Sequence, residues 1–376
     1  MKENKTSRLA SLDGWRAICI ILVIGHHSVE SPGFPKVLSP LFNWIFDGNL
    51  GVRIFFIISG LLITWLMLQE NQKHGAVSIR LFYLRRIIRI FPVYFSYLGV
   101  LAIFQICNIF YQNNIAWFAN LTFTTNYFLD QAPRTGHLWS LAVEEQFYMV
   151  WPFVFVALGI SIRFLSGIKL LGLIMIISPI LRVISYLKLW PPLLAPFFVW
   201  GSTFLYMDSI AIGAACALIL FYHRNLVEKH IIYSKKWLTY FAFILVLFPH
   251  ILKHYKVLGI ITVPFDSTLQ AVGISILMLK SIFYSEKGLY RILNIPFISG
   301  VGILSYSLYM WHMIAYQVGL SRNLAQKLSF SWWNVFPGWI LIGILAAMLS
   351  YYILEVPFFK MRAYLRVKSL QPQNEQ

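Results

Sequence analysis

LDGWRAICIILVIGHH, residues 12–27, has the composition of a membrane helix but carries four ionisable side chains: Asp13, Arg16, His26 and His27. His27 lies eleven residues after Arg16. At about 100° per residue both side chains project from nearly the same helix face, whereas His26 points about 100° away. Ionisable groups are costly in hydrocarbon unless they are paired or hydrated, so we expect this face to line a cavity. An alternative stays open, in which Asp13 and Arg16 lie at the membrane surface and His27 caps the far end.

The composition is that of a polytopic membrane protein. Of the 376 residues, 59% are hydrophobic and only 12% are charged, whereas soluble proteins carry about 25% charged residues. Several apolar runs reach about 20 residues, the length that a helix needs to cross a bilayer. We therefore predict an all-α fold, in which residues 1–376 form a single polytopic bundle of about ten transmembrane helices.

The strongly basic balance, a net charge of +17, does not indicate a nucleic-acid partner. Lysine and arginine fall mainly in short loops between apolar runs, where they set the topology against the lipid bilayer. The three cysteines, Cys19, Cys107 and Cys216, all lie inside apolar runs, so no disulfide framework is expected. Asp13 and Arg16 interrupt what would be the apolar core of a signal peptide, so the first helix is expected to be retained.

The predicted spans are separated by short loops, one of which holds the basic residues 80–89. They cover approximately residues 12–29, 49–68, 91–111, 137–160, 168–187, 203–222, 237–252, 264–284, 296–317 and 335–354, followed by a short tail, 356–376. An even number of spans puts both termini on one side. Lysine and arginine concentrate on that side, so the positive-inside rule predicts a multi-pass protein of the cell membrane with both termini in the cytoplasm.

A second polar element, HLWSLAVEEQFY, covers residues 137–148 at the start of an apolar span. On a helix one stripe of this element holds His137, Ser140, Glu144 and Tyr148. A histidine and a carboxylate from separate helices are the groups that general acid–base catalysis uses. The alternative is a polar network that locks the bundle, with His27 and Glu144 as mutual partners. The residues alone leave both interpretations open.

The sequence FYLRRIIRIFPVY, residues 82–94, brings Arg86 and Arg89 to one helix face because they are three residues apart. The forked donors of arginine suit phosphate groups. The alternative is ordinary anchoring to anionic lipid headgroups at a helix end. A phosphate-binding role therefore needs support from elsewhere in the chain.

The sequence GVRIFFIISG, residues 51–60, ends in Ser59 and Gly60, which allow close contact between helices. Ser59 could also accept an acyl group as a nucleophile, but no adjacent base is visible in the sequence. Arg53 is expected near the outer mouth of its span. Asp208 and His312 add ionisable groups to later spans.

These patterns lead to a membrane protein with a buried site of histidine, glutamate and arginine. A proton-linked transporter or flippase of lipid-linked sugars or acyl groups fits such a site as well as an enzyme does.

Five motifs decide between the two functions through a resemblance. They are LDGWRAICIILVIGHH, GVRIFFIISGLLI, LRRIIRIFPVY, HLWSLAVEEQFYMVWP and SYSLYMWH. In content and order they resemble the acyltransferase-3 family of integral membrane acyltransferases, in its O-acetyltransferase type without an SGNH domain, over about residues 11–362. The resemblance implies ten membrane helices and transfer of an acyl group, usually acetyl, from cytoplasmic acyl-CoA to a hydroxyl of a cell-envelope or exported carbohydrate. A chain without the SGNH domain is expected to complete its reaction in the membrane or hand its product to another protein.

The resemblance also assigns residues. The family's Arg-x10-His pattern falls on Arg16 and His27, and its Trp-Ser-Leu-x-x-Glu pattern ends at Glu144. Its Arg-x-x-Arg pattern falls on Arg86 and Arg89. We expect His27 to act as general base, Glu144 to orient it or act on the acceptor, and the three arginines to bind acyl-CoA. The supporting residues are Asp13, Ser59, His137, Trp139, Ser140, Tyr148, Asp208 and His312.

The expected partners are acyl-CoA, in the form of acetyl-CoA, as donor substrate, a carbohydrate or glycolipid acceptor, and the lipid bilayer. No metal, other cofactor or nucleic acid is expected. The acceptor, the length of the acyl chain and the oligomeric state do not follow from the sequence.

Overall fold

The computed structural model describes residue 9 and residues 11–109, 111–132, 135–191, 194–198, 200–232, 236–255, 257–314 and 335–360. Within these ranges the chain forms helices and connections and no strand, which confirms the all-α class. The helices are α1 (Leu12–Val29), α2 (Ser39–Ile45), α3 (Gly48–His74), α4 (Ile79–Ile106), α5 (Asn114–Leu121), α6 (Trp139–Ala157), α7 (Phe164–Tyr186), α8 (Ala195–Phe198), α9 (Thr203–Tyr222), α10 (Arg224–Val227), α11 (Trp237–His254), α12 (Gly259–Phe283), α13 (Pro296–Ile303), α14 (Ser305–Trp311) and α15 (Gly338–Ser350).

Seven helical segments among the described residues are long and apolar enough to cross a membrane. They are residues Lys36–His74, Ile79–Ile106, Phe164–Tyr186, Thr203–Tyr222, Trp237–His254, Thr262–Phe283 and Gly338–Lys360. The chain is therefore a multi-pass membrane protein, while the count of about ten spans stays a prediction. The three further predicted spans correspond to α1, α6 and the pair α13–α14.

Several helices differ from their predicted bounds, and two of these differences have a clear local reason. α4 begins at Ile79, so the basic residues 80–89 lie in a helix and not in a loop; the Ser78 side chain caps the helix by accepting a hydrogen bond from the Leu81 N–H, at 3.3 Å. The ninth predicted span is interrupted at Leu304, between α13 and α14. Its residues 315–317, and the tail beyond residue 360, lie outside the described residues.

The chain divides into two compact units. The first comprises residues 1–25, 43–77 and 113–303, and the second residues 26–42, 78–112 and 304–376. The core of the first unit is formed by apolar side chains of α1, α3, α9 and α12, among them Ile57, Leu61, Ile212 and Met278, all nearly inaccessible to solvent. α1 contributes Arg16 to the first unit and His27 to the second.

α3 and α9 pack backbone to backbone inside the first unit. A Cβ atom added at Gly60 would overlap the carbonyl oxygen of Ile210, and one added at Gly213 would overlap that of Ile57. Small residues permit such an approach, which van der Waals contact stabilises within a membrane. The close contact of helices that the sequence predicted at Gly60 is therefore confirmed.

Candidate active site

The first turns of α1 hold a charge pair. Arg16 Nη1 donates a hydrogen bond to Asp13 Oδ1, at 3.2 Å, and both side chains are partly buried. The carboxylate of Asp13 also lies in the first turn of α1, where the helix dipole favours a negative charge. Asp13 therefore orients the guanidinium of Arg16 and partly neutralises its charge. The sequence analysis expects this group to bind acyl-CoA.

His27 lies next to His312 in the second unit. Their ring centroids are 5.4 Å apart, and the ring of His26 lies 5.5 Å from that of His27. His312 is 1% exposed and its Nδ1 lies 2.8 Å from the carbonyl oxygen of Tyr309. Because a carbonyl oxygen only accepts, Nδ1 carries the proton and Nε2 carries the lone pair in neutral His312. The structure thus places a second imidazole of defined tautomer beside the proposed base.

Arg86 and Arg89 lie on α4, one turn apart and partly buried. The guanidinium of Arg86 lies over the ring of Phe82, 5.9 Å from its centroid. Arg89 lies within electrostatic range of Glu355, which is 4% exposed and accepts a hydrogen bond from Ser307 Oγ at 2.5 Å. This electrostatic interaction of Arg89 with Glu355 acts between residues far apart in the chain, and the sequence analysis did not predict it.

Glu144 joins α3 to α6 in the first unit. Its Oε1 accepts a hydrogen bond from Ser59 Oγ at 2.8 Å, and its Oε2 accepts one from the Tyr148 hydroxyl at 3.2 Å. Ser59 and Glu144 are only partly buried. The sequence showed no partner for Ser59, and the structure supplies the Glu144 carboxylate, on another helix, as its hydrogen-bond acceptor.

The segment 137–148 packs further polar side chains into the first unit. His137 and Ser140 are 9% and 7% exposed, and Trp139 is 6% exposed. Trp139 contacts the rings of Phe56 and Tyr206, with centroids 6.0 and 4.9 Å away. His137, Ser140 and Tyr148 of the polar stripe are thus buried while Glu144 is partly buried, and the aromatic contacts add a feature that the spacing did not indicate.

Asp208 forms a buried ion pair at the start of α9. Its Oδ2 accepts hydrogen bonds from Arg182 Nη2 at 2.7 Å and from Thr268 Oγ1 at 2.6 Å. Arg182 further donates to the carbonyl oxygens of Leu205 and Pro264. These contacts tie α7, α9 and α12 together, which is a structural role, and participation of Asp208 in chemistry stays a prediction.

The structure groups the predicted site residues into two sets. The first unit holds Asp13, Arg16, Ser59, His137, Trp139, Ser140, Glu144, Tyr148 and Asp208, and the second holds His27, Arg86, Arg89 and His312. Because His27 and Glu144 belong to different units, their cooperation stays a prediction.

Comparison with known proteins finds similarity over most of the chain. A family model described as an acyltransferase domain matches residues 9–355. The peptidoglycan O-acetyltransferase OatA of Listeria monocytogenes is 26% identical over 327 residues, which cover 80% of this chain and 48% of the relative. The putative O-acetyltransferase SACOL0978 of Staphylococcus aureus is 27% identical over 390 residues, covering 96% of this chain and 58% of the relative.

A third relative, the putative peptidoglycan O-acetyltransferase YrhL of Bacillus subtilis, is 28% identical over 376 residues, which cover 93% of this chain and 54% of the relative. The chain therefore spans about half the length of the curated relatives it matches. No solved structure matches the chain.

Proposed function

Because the chain belongs to the acyltransferase-3 family, we propose that it is a membrane-embedded O-acetyltransferase. It would transfer an acetyl group from acyl-CoA to a hydroxyl group of a cell-envelope carbohydrate. The observation that carries this proposal is the family match, whose span, residues 9–355, includes every predicted site residue from Asp13 to His312. The family assignment confirms the resemblance found in the sequence and the enzyme class that it implied.

His27 is the proposed general base. As the acceptor oxygen attacks the thioester carbonyl, His27 takes the hydroxyl proton, the C–O bond forms, and the C–S bond breaks. The proton then leaves with the CoA sulfur, so His27 returns to its starting state. The neighbouring imidazole of His312 supports this role because its ring lies beside that of His27 and its Nδ1 is committed to Tyr309, which leaves Nε2 as the nitrogen that can accept a proton.

Arg86 and Arg89 are the proposed contacts for the phosphates of acyl-CoA. They lie one turn apart in the first turns of α4, a spacing that lets two guanidinium groups reach one anionic ligand. A membrane protein with cytoplasmic termini would receive acyl-CoA at this end of α4. Arg16, held by Asp13 on α1, is the proposed contact deeper along the donor path.

Glu144 is the proposed acidic group on the acceptor side. It holds hydrogen bonds from the hydroxyls of Ser59 and Tyr148, so both of its oxygens are oriented before any substrate arrives. A carboxylate fixed in this way is suited to stabilise positive charge on an imidazole, or to accept a hydrogen bond from a sugar hydroxyl.

The test is acetyl transfer by purified protein in detergent, with labelled acetyl-CoA and peptidoglycan fragments as acceptors. Detergent removes the compartments that a transporter needs. Labelled fragments that form only with the protein would support an O-acetyltransferase. Fragments that remain unlabelled, together with proton-dependent sugar or acyl movement in vesicles, would favour the transporter.

A further inference from the structure

Arg53, on α3 in the first unit, is a buried arginine with unused hydrogen-bond donors. The residue is 4% exposed, and its Nε and Nη1 atoms have no hydrogen-bond partner among the described residues. Arg182, the other buried arginine of this unit, donates from Nε, Nη1 and Nη2 to partners on α9 and α12. Burying a guanidinium without partners is costly, so Arg53 is expected to have a function that requires it.

The nearby carboxylates are engaged elsewhere. Asp47 lies within electrostatic range of Arg53, but its Oδ1 caps the first turn of α3 and its Oδ2 lies 3.5 Å from His250 Nδ1. Asp208 binds Arg182. The donors of Arg53 therefore remain available to an anion that is not part of the described chain.

Asp266, on α12, is engaged in the same way. Its Oδ1 accepts hydrogen bonds from the backbone N–H and the hydroxyl of Ser267, and its Oδ2 lies 3.7 Å from Lys253 Nζ. Asp47, Asp208 and Asp266 thus each have a partner of their own, and Arg53 Nε and Nη1 form a hydrogen bond with none of them.

An aromatic group lies beside Arg53. Tyr206 is within electrostatic range of the Arg53 charge, and its ring contacts those of Phe56 and Trp139 at 6.2 and 4.9 Å. Trp139 in turn lies 4.9 Å from the ring of Trp200. Aromatic faces of this kind are suited to the apolar C–H faces of sugar rings.

Trp200 extends this aromatic group to the surface of the unit. It is 54% exposed, whereas Trp139 is 6% exposed. The backbone next to it is fixed, because Asn126 Nδ2 donates to the Gly201 carbonyl oxygen at 3.2 Å and Gln146 Nε2 donates to Asn126 Oδ1 at 2.9 Å. An exposed indole on a fixed backbone can contact a ligand with little loss of conformational entropy.

We propose that Arg53 binds a carboxylate or phosphate group of the acceptor carbohydrate, while Tyr206, Trp139 and Trp200 contact its sugar rings. This inference rests on the proposed function, because it identifies the acceptor of the same reaction as an anionic saccharide. The sequence analysis placed Arg53 near the outer mouth of its span, the side from which an envelope carbohydrate would approach.

The experiment compares acceptors of one length that carry a carboxylate, a phosphate or no charge. Purified protein in detergent receives labelled acetyl-CoA and an oligosaccharide that bears a free carboxylate, its neutral methyl amide, or a glycosyl phosphate of the same length. Arg53→Gln should raise KM for the acceptor that supplies the anion by about 10- to 100-fold, the value of a charge-assisted hydrogen bond, and leave KM for the amide unchanged. Arg53→Lys should restore part of the difference. Whether the carboxylate or the phosphate acceptor responds identifies the anion.

Arg224→Gln is the matched control, since it removes the same charge from an exposed arginine of the same unit. Its KM values should equal those of the wild type. The ratio of KM for the neutral acceptor to KM for the charged acceptor is compared between Arg53→Gln and wild type, after thermal melting has shown that both proteins are folded. Equal ratios would overturn the inference while leaving the acetyltransferase in place.

Binding of the same oligosaccharides, followed by tryptophan fluorescence without acetyl-CoA, separates the two proposals. If the wild-type protein binds the charged saccharide through Arg53 but transfers no acetyl group, the binding site is supported and the proposed acetyltransferase activity is refuted. Affinity for charged and neutral saccharides that is equal and independent of Arg53 would refute the site.

Discussion

His26 and His27 are neighbours in sequence that α1 directs to different faces, and they form a matched pair for testing the proposed base. His27→Ala should lower acetyl transfer by about 10²–10⁴-fold, the range for loss of general base catalysis. Binding of acetyl-CoA, measured by calorimetry, should be unchanged because the proposed phosphate contacts are arginines of α4. His26→Ala is the control and should retain most of the activity. Full activity in His27→Ala would remove the role assigned to this residue, even with the family assignment intact.

Glu144 allows a second test with nearly isosteric changes. Glu144→Gln keeps the shape of the side chain but removes its charge, so turnover should fall by at least tenfold if the carboxylate stabilises charge during transfer. Ser59→Ala removes one hydrogen bond to that carboxylate and should lower turnover by only about 10-fold or less. Mass spectrometry after incubation with acetyl-CoA checks the other possibility: an acetyl group on Ser59 would make this serine a nucleophile and Glu144 its base.

The contacts of Glu144 show what the sequence can predict about a site. Its hydrogen bond to Tyr148 follows from the i, i+4 spacing on one helix. Its hydrogen bond to Ser59 joins residues 85 positions apart, and no local pattern indicates which face of α3 meets α6. The same reason explains why the electrostatic interaction of Arg89 with Glu355 and the ion pair of Arg182 with Asp208 were not predicted.

Between helices, the contact of α3 with α9 depends on two glycines. Gly213→Ala should lower the stability of the purified protein by about 1–3 kcal/mol, because the new methyl group would overlap the Ile57 carbonyl and force the backbones apart. Gly172→Ala, on α7, is the control, since a Cβ there meets nothing within 4 Å. It should be neutral or slightly stabilising. Equal melting temperatures for both variants would contradict the close packing.

On α4, the two predicted phosphate ligands can be tested by direct binding. Arg86→Ala or Arg89→Ala should weaken the binding of acetyl-CoA by about 1.5–3 kcal/mol, the range for charge-assisted hydrogen bonds. Lysine at either position should restore part of the affinity, because it lacks the fork of donors. Calorimetry with dephospho-CoA would show whether the 3′-phosphate is involved. Unchanged affinity in both alanine variants would exclude these arginines as phosphate ligands and leave lipid headgroups, and for Arg89 also Glu355, as their partners.

The bounds of some helices could be predicted from the sequence. α1 and α9 begin and end at the predicted residues, 12–29 and 203–222. The start of α4 could not be found in this way, because its first turns are basic and only the Ser78 cap marks them. Hydropathy detects the apolar part of a helix and misses the polar turns that extend it.

In the molecule as a whole, the helices that hydropathy detects least well carry the proposed chemistry. α1, α6 and the α13–α14 pair are absent from the seven candidate spans among the described residues. They carry or adjoin His27, Glu144 and His312. Ionisable groups lower the mean hydropathy of α1 and α6, and the interruption at Leu304 leaves α13 and α14 each too short to count as a span. Weak hydropathy in an otherwise apolar chain is therefore an indicator of the functional helices.

The orientation in the membrane decides from which side each substrate arrives, and it can be tested without an activity assay. An even number of spans, with lysine and arginine concentrated on the side of the termini, predicts that both termini lie in the cytoplasm. Glu3→Cys and Asn374→Cys, at positions outside the described residues, are each introduced into a protein in which Cys19, Cys107 and Cys216 are replaced. A membrane-impermeant thiol reagent should label neither in intact cells and both after permeabilisation. Asn108→Cys, at the opposite end of α4 from Arg86, is the control and should be labelled in intact cells. Labelling of one terminus from outside would mean an odd number of spans, and labelling of both would invert the protein and place Arg86 and Arg89 away from cytoplasmic acyl-CoA.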